Sequence, residues 1–223
     1  INAGNGGVDL AVNKTITTTA WIMTPGVTSG AIDINSVGSV NLVGNLVTTG
    51  VVGDAAATGV GATGGAVTID TTDSAATISL SDITTTGGAA AAGSNANGGA
   101  AGMITLTTNP AGVVTLDSST ITAAGGAGDG TGTQGEGANI TLSNAVALTT
   151  GAASINTGDT GGNIWFKNTI NGDQALTLAS GTGDVTLAGA VGTTTRLGTL
   201  TISSANDVTA VAITANRLLQ TAG

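Results

Sequence analysis

A four-residue strand phrase recurs along this chain as Ala66-Val67-Thr68-Ile69, Met103-Ile104-Thr105-Leu106, Asn139-Ile140-Thr141-Leu142 and Asn163-Ile164-Trp165-Phe166. The starts lie 37, 36 and 24 residues apart, and a degenerate copy precedes them at Ala31-Ile32-Asp33-Ile34. A unit this short cannot bury its own apolar face, so it is stable only when copies stack. The recurrence therefore predicts a solenoid, and the alternation within each phrase predicts a solenoid of strands.

Residues 139 to 162 show the unit at its shortest. Ile140 and Leu142 share one parity, Val146 and Leu148 belong to a second short strand, and Ile155 to a third. Asn144, Gly151 and the stretch from Asn156 to Gly162 supply corners, because Asn and Gly tolerate turn conformations. Three strands and three turns in one repeat describe a coil of a three-sided parallel β-helix. The seven residues Ile69, Ile104, Leu106, Ile140, Leu142, Ile164 and Phe166 hold equivalent parities and are predicted to point inward as a stack.

The longer repeats keep that coil and add to it after the third strand. Gly50 to Gly65, Gly87 to Gly102 and Gly125 to Ala138 are rich in Gly and Ala. Insertions in a solenoid tend to leave from one side, so these are expected as a ridge of solvated loops that a short turn could replace. The pattern reads as one domain over residues 1–223, irregular at 1–30, looped at 31–138 and tighter at 139–215. Ala89 to Ala92 do not start a helix, since glycines flank them and no 3.6-residue period extends beyond.

Composition fits a narrow interior. Hydrophobic residues are 40% of the chain but aromatics only 1%, so the core comes from small aliphatic side chains. Four bases (Lys14, Lys167, Arg196, Arg217) face 13 acids, a formal net charge of -9. That inventory cannot form the basic footprint of a nucleic-acid binder, and it disfavours an anionic membrane surface. No uninterrupted apolar stretch is long enough for a spanning helix, so membrane insertion is not expected.

Enzymatic readings fail on inventory: there is no His, Cys or Tyr, and the acids are spread singly rather than clustered. No cofactor is expected. Calcium is the one metal with a sequence cue. Gly125-Gly126-Ala127-Gly128-Asp129-Gly130 is similar to a nonapeptide calcium repeat, with Asp129 and Glu136 as oxygen donors, but Asp129 follows Gly128 directly and no second copy follows; a solvated glycine loop is the favoured reading. Trp165 should point outward between inward Ile164 and Phe166. It and Trp21, the only tryptophans, are candidates for lateral contact with a sugar or another protomer. Threonine runs such as Thr15-Ile16-Thr17 raise an ice-binding array, although the Thr-x-Thr phrase does not recur at one offset in every repeat.

The cadence of Gly-Gly-x-Ile-Thr-Leu strands, with Val113-Val114-Thr115-Leu116, Gly183-Asp184-Val185-Thr186-Leu187 and Leu200-Thr201-Ile202-Ser203, resembles the repeat regions of filamentous-haemagglutinin-like bacterial adhesins. The likeness covers roughly residues 31 to 215. It implies a right-handed parallel β-helix exported by a two-partner or autotransporter route, hence an extracellular or cell-surface location. Asn109-Pro110-Ala111-Gly112 echoes a motif of the secretion domain, but its mid-chain position favours a plain turn. The function expected is structural: an adhesin shaft or a self-assembling filament subunit. Its partners would be further copies along the axis or continuation of the same chain, with a glycan or host-surface ligand as the alternative.

Overall fold

The structure is a computed structural model that describes residues 1–4, 6–11, 14–19 and 27–221. The described residues contain no helix, and every strand pairing is parallel. The strands fall into eight coils. The first two are β1 (Asn2–Ala3), β2 (Val8–Leu10), β3 (Thr15–Thr17) and β4 (Ile32–Ser36), β5 (Val40–Leu42), β6 (Asn45–Val47). The third and fourth are β7 (Val67–Thr71), β8 (Ile78–Leu80), β9 (Ile83–Thr84) and β10 (Ile104–Thr107), β11 (Val113–Leu116), β12 (Thr120–Thr122). The fifth and sixth are β13 (Ile140–Leu142), β14 (Ala145–Leu148), β15 (Ala153–Asn156) and β16 (Ile164–Phe166), β17 (Ile170–Asn171), β18 (Leu176–Ala179). The seventh has β19 (Val185–Leu187) and β20 (Leu197–Ser204), the eighth β21 (Val208–Ala210) and β22 (Ala215–Gln220).

Each coil gives its first strand to one sheet, its second to another and its third to the last. In the seventh and eighth coils the second side shrinks to single bridges, Ile170 to Val191 and Val191 to Ile213. The architecture is a three-sided parallel β-helix, as the repeat predicts. The stretch at 1–30 that the pattern leaves irregular contains a coil of its own, because β1, β2 and β3 pair with β4, β5 and β6.

Register makes the core. Ile32, Val67, Ile104, Ile140, Ile164, Val185 and Val208 lie in one column, and Ile34, Ile69, Leu106, Leu142, Phe166 and Leu187 in the next. All seven residues of the expected stack are fully buried. Removing a Leu or Ile side chain from water is worth about 1.5–3 kcal/mol. Repeated over three columned faces, this is what holds the coils together.

The glycine-rich inserts all leave from the corner between the third strand and the next first strand, as expected, but they are not independent solvated loops. Each runs out, turns and returns, and the segments hydrogen-bond to one another at three-residue intervals. Outgoing segments pair through Gly50 N–H to Thr86 O (2.8 Å), Gly53 to Ala89 (2.9 Å), Gly87 to Ala124 (3.0 Å) and Ala90 to Ala127 (2.8 Å). Returning segments pair through Gly61 to Asn97 (3.1 Å), Gly64 to Ala100 (2.9 Å), Gly98 to Thr133 (3.0 Å) and Ala101 to Glu136 (2.9 Å). The two layers are joined by Gly88 to Ala62, Gly99 to Gly88, Gly126 to Gly99 and Gly135 to Gly126, at 2.8–2.9 Å. A period of three with bonds fanning to several neighbours describes extended threefold segments of polyproline-II type, packed side by side.

That packing explains the glycines. Gly87, Gly88, Gly98, Gly99, Gly126 and Gly135 have no positive φ, so torsional freedom is not what the sites require. A Cβ at Gly99 would land on the carbonyl oxygen of Ala62, and one at Gly126 on that of Gly88. The requirement is space for a neighbouring backbone.

Two measurements check these points. Leu142→Asp would bury an unpaired charge in a closed column and is expected to abolish the β-sheet circular dichroism of the adjoining coils at room temperature. Gly99→Ala should lower the melting temperature sharply, by roughly 1–3 kcal/mol or more of stability, whereas Gly6→Ala, whose Cβ meets nothing within 4 Å, should be neutral within error. Equal melting of the two glycine variants would mean that the layer does not form.

Candidate functional site

One regular surface is the outer face of the first sheet, which takes a strand from each of the eight coils. Its first outward column reads Asp33, Thr68, Thr105, Thr141, Trp165, Thr186 and Thr209. Trp165 is the one large side chain in this column of short polar ones, and it is 44% exposed. The reason lies in β16: alternation sends Ile164 and Phe166 into the core, where both are fully buried, and leaves the indole outside. Lys167, next on the same face, places Nζ 4.6 Å from the centre of the ring. An ammonium at this distance is attracted by the π-face. Trp21 lies outside the described residues.

Beside this column runs a ladder of side-chain acceptors just ahead of the first strands. Asn139 Oδ1 accepts the N–H of Asn163 (2.8 Å), Asn163 Oδ1 that of Asp184 (2.8 Å), and Asp184 Oδ1 that of Asp207 (3.2 Å). Asn206 Nδ2 also donates to Asp184 Oδ1 (3.0 Å). The ladder occupies the coils where the long excursions have ended.

The corner between third and first strands carries a second repeated device in most coils. Thr48, Thr85, Thr157 and Ser180 are fully buried, and their hydroxyls donate to the carbonyls of Gly65, Gly102 (2.5 Å), Gly162 (2.8 Å) and Gly183 (2.9 Å). Thr18 does the same to Gly30. In three of these the glycine N–H returns a bond to the same residue: Gly65 to Thr48 (2.9 Å), Gly102 to Thr85 (2.8 Å) and Gly183 to Ser180 (2.7 Å). In the fourth coil Ala123 and Ala138 stand where the hydroxyl and the glycine would be, and only the backbone bond from Ala138 to Ala123 (2.9 Å) remains. Sequence reading missed this clamp. The signal was parity: Thr48, Thr85, Thr157 and Ser180 fall two residues past an inward Leu or Ile, a position that should be apolar.

The calcium candidates do not converge into a metal centre. Asp129 sits at the tip of an excursion, where Oδ2 accepts the N–H of Asn95 (3.0 Å). Glu136 is exposed on the returning segment. Among the described residues no group of three or more His, Cys, Asp or Glu is placed to hold a metal ion. The 125–130 stretch is not the solvated loop expected of it, since Gly126 is buried between Gly88 and Gly99. Asn109 to Gly112 forms a corner turn, with Gly112 N–H on Asn109 O (2.7 Å) and Asn109 Nδ2 on Thr72 O (3.0 Å). The threonine column is interrupted by Asp33 and Trp165, so the outer face is not an unbroken hydroxyl array. No described helix is long and apolar enough to cross a membrane.

Comparison with protein families, with curated proteins and with solved structures finds no match to this chain. Its reading rests on its own geometry.

The clamp makes an opposed pair of substitutions informative. Thr85→Val removes a buried hydrogen bond and should cost about 1 kcal/mol, lowering the melting temperature by roughly 2–4 °C. Thr71→Val removes a buried hydroxyl that has no hydrogen-bond partner, so it should leave stability unchanged or raise it. Thermal denaturation of the two variants compares them directly, and the same sign for both would refute the clamp.

Proposed function

We propose that this chain is structural: an extracellular β-solenoid serving as an adhesin shaft or as a subunit of a self-assembling surface filament. The observation that carries the reading is the parallel stack of eight coils, in register except for one shift between Leu178 and Ala179. Spaced about 4.8 Å apart, they form a rod roughly 35 Å long whose stiffness comes from two hydrogen-bonded ladders that run through all eight coils and a third that runs through six. A rod of this kind lengthens by adding coils without changing its cross-section, which suits a spacer. The glycine-rich layer adds a second set of axial hydrogen bonds along one edge. The resemblance to filamentous-haemagglutinin-like repeats supports an exported, adhesive setting.

The last described coil bears a surface suited to axial contact, with a further copy or with continuation of the same chain. Its far side bears the inward columns at Val208, Ile213 and Leu218, and Leu218 is 55% exposed. Beyond it no strand occupies the outer edge of β21 or β22 among the described residues, and such an edge templates further parallel strands. The coil is also partly adapted to water, since Ala210, Ala215 and Gln220 stand in register with Leu187, Leu197 and Ile202 of the coil before.

Sedimentation and negative-stain electron microscopy across a concentration series test the proposal. Rods that lengthen in steps with concentration, and that Leu218→Asp holds at monomer length, are the expected outcome. Monodisperse monomers at all concentrations, indifferent to Leu218→Asp, would overturn the filament form of the reading.

A further inference from the structure

We propose that the Trp165–Lys167 pair is a lateral binding site for an anionic carbohydrate, a pyranose chain bearing carboxylate groups. Nothing in the rod requires an indole here. The core columns on either side are filled by Ile164 and Phe166, both fully buried, and the register partners of Trp165 are Thr141 and Thr186. Threonine is evidently sufficient for this position in the stack. The tryptophan is instead set on a flat hydroxyl-bearing face, with nearly half of its surface in water.

The second observation is charge. The chain has four basic residues and a net charge of -9, yet one of the four, Lys167, is held with Nζ 4.6 Å from the ring centre. Ring and ammonium together match a ligand that carries an apolar face and an anion on the same unit. Because Lys167 lies over one face of the indole, the C–H face of a uronate packs on the opposite face, and the ammonium turns to the ring edge to take its carboxylate in a charge-assisted hydrogen bond. The hydroxyls of Thr141 and Thr186, one coil away on either side, lie along the rod axis where neighbouring sugars of the chain would run. A single cation selects isolated carboxylates over the dense phosphates of nucleic acid, which need a wider basic footprint.

The test uses the full chain in a Trp21→Phe background, so that Trp165 is the sole fluorophore. Titration with an oligogalacturonate, and with a neutral oligogalactoside of the same length, follows its emission. Saturable change with the uronate at about tenfold higher affinity than with the neutral chain is expected. Trp165→Thr restores the residue type of its column and should fold normally by circular dichroism while losing calorimetric binding about tenfold or more. Lys167→Met should retain the neutral affinity and lose the preference for the uronate. No saturable response, equal affinity for both sugars in the parent protein, or undiminished binding by folded Trp165→Thr would each overturn the site. Emission that changes with protein concentration alone would overturn it in favour of a contact between copies.

Discussion

The parallel ladder at constant register is the constraint on which the rest of this molecule depends. When β7, β10, β13, β16 and β19 align residue for residue, each side chain stands on its equivalent about 4.8 Å away. A column must then be of one character throughout. Val67, Ile104, Ile140, Ile164 and Val185 satisfy this, and Phe166 keeps the apolar character of its column between Leu142 and Leu187. A one-residue slip would send every inward side chain to solvent, so the stack is as specific as it is simple.

Constant register leaves only the corners free to vary, and the chain varies one of them most. The corner between third and first strands grows from a tight turn at Ser180–Gly183 to long excursions at 48–65, 85–102 and 123–138. Closure at the base supports this: Thr85 and Gly102 close their excursion with two hydrogen bonds, and Ala123 and Ala138 close theirs with the backbone bond alone. Because the clamps are themselves stacked, the excursions start one coil apart and meet their neighbours along their length. The glycine layer follows from that spacing. Backbones brought this close can satisfy one another's N–H and C=O groups only where Cβ atoms are missing, as at Gly88, Gly99 and Gly126.

What the sequence disclosed and what it hid divide along the same line. Inward residues were legible because a strand buried on one face alternates, and Val, Ile and Leu carry the alternation without ambiguity. The first coil was hidden because β1 is only Asn2–Ala3, and neither residue marks a strand. The glycine-rich stretches were misread because glycine in a sequence suggests mobility, whereas here it marks close approach; the two cannot be told apart without the neighbouring segment. The clamp was hidden for a related reason. Thr48 and Thr85 look like ordinary polar strand ends until their carbonyl partners, 17 residues on, are brought beside them. For Trp165 the alternation located the side chain but not its cation, since alternation sets the face of Lys167 and not the direction of its long side chain.

Stacking also explains the surface. A charge repeated in one outward column would face its like about 4.8 Å away, at a cost near 1 kcal/mol in water and more beside the protein. Threonine and serine avoid that cost and suit a strand, which accounts for Thr68, Thr105, Thr141, Thr186 and Thr209 on one column and for a chain only 8% charged. Where two acids do fall in register, at Asp184 and Asp207, Asp184 is compensated by the N–H of Asp207 and the amide of Asn206. A surface so depleted of charge and bulk gives any departure from it a defined environment. Trp165 and Lys167 stand together in that setting, one coil from threonine on either side, so the regularity that builds the rod also isolates a place where, among the described residues, it presents a ring and a cation to its surroundings.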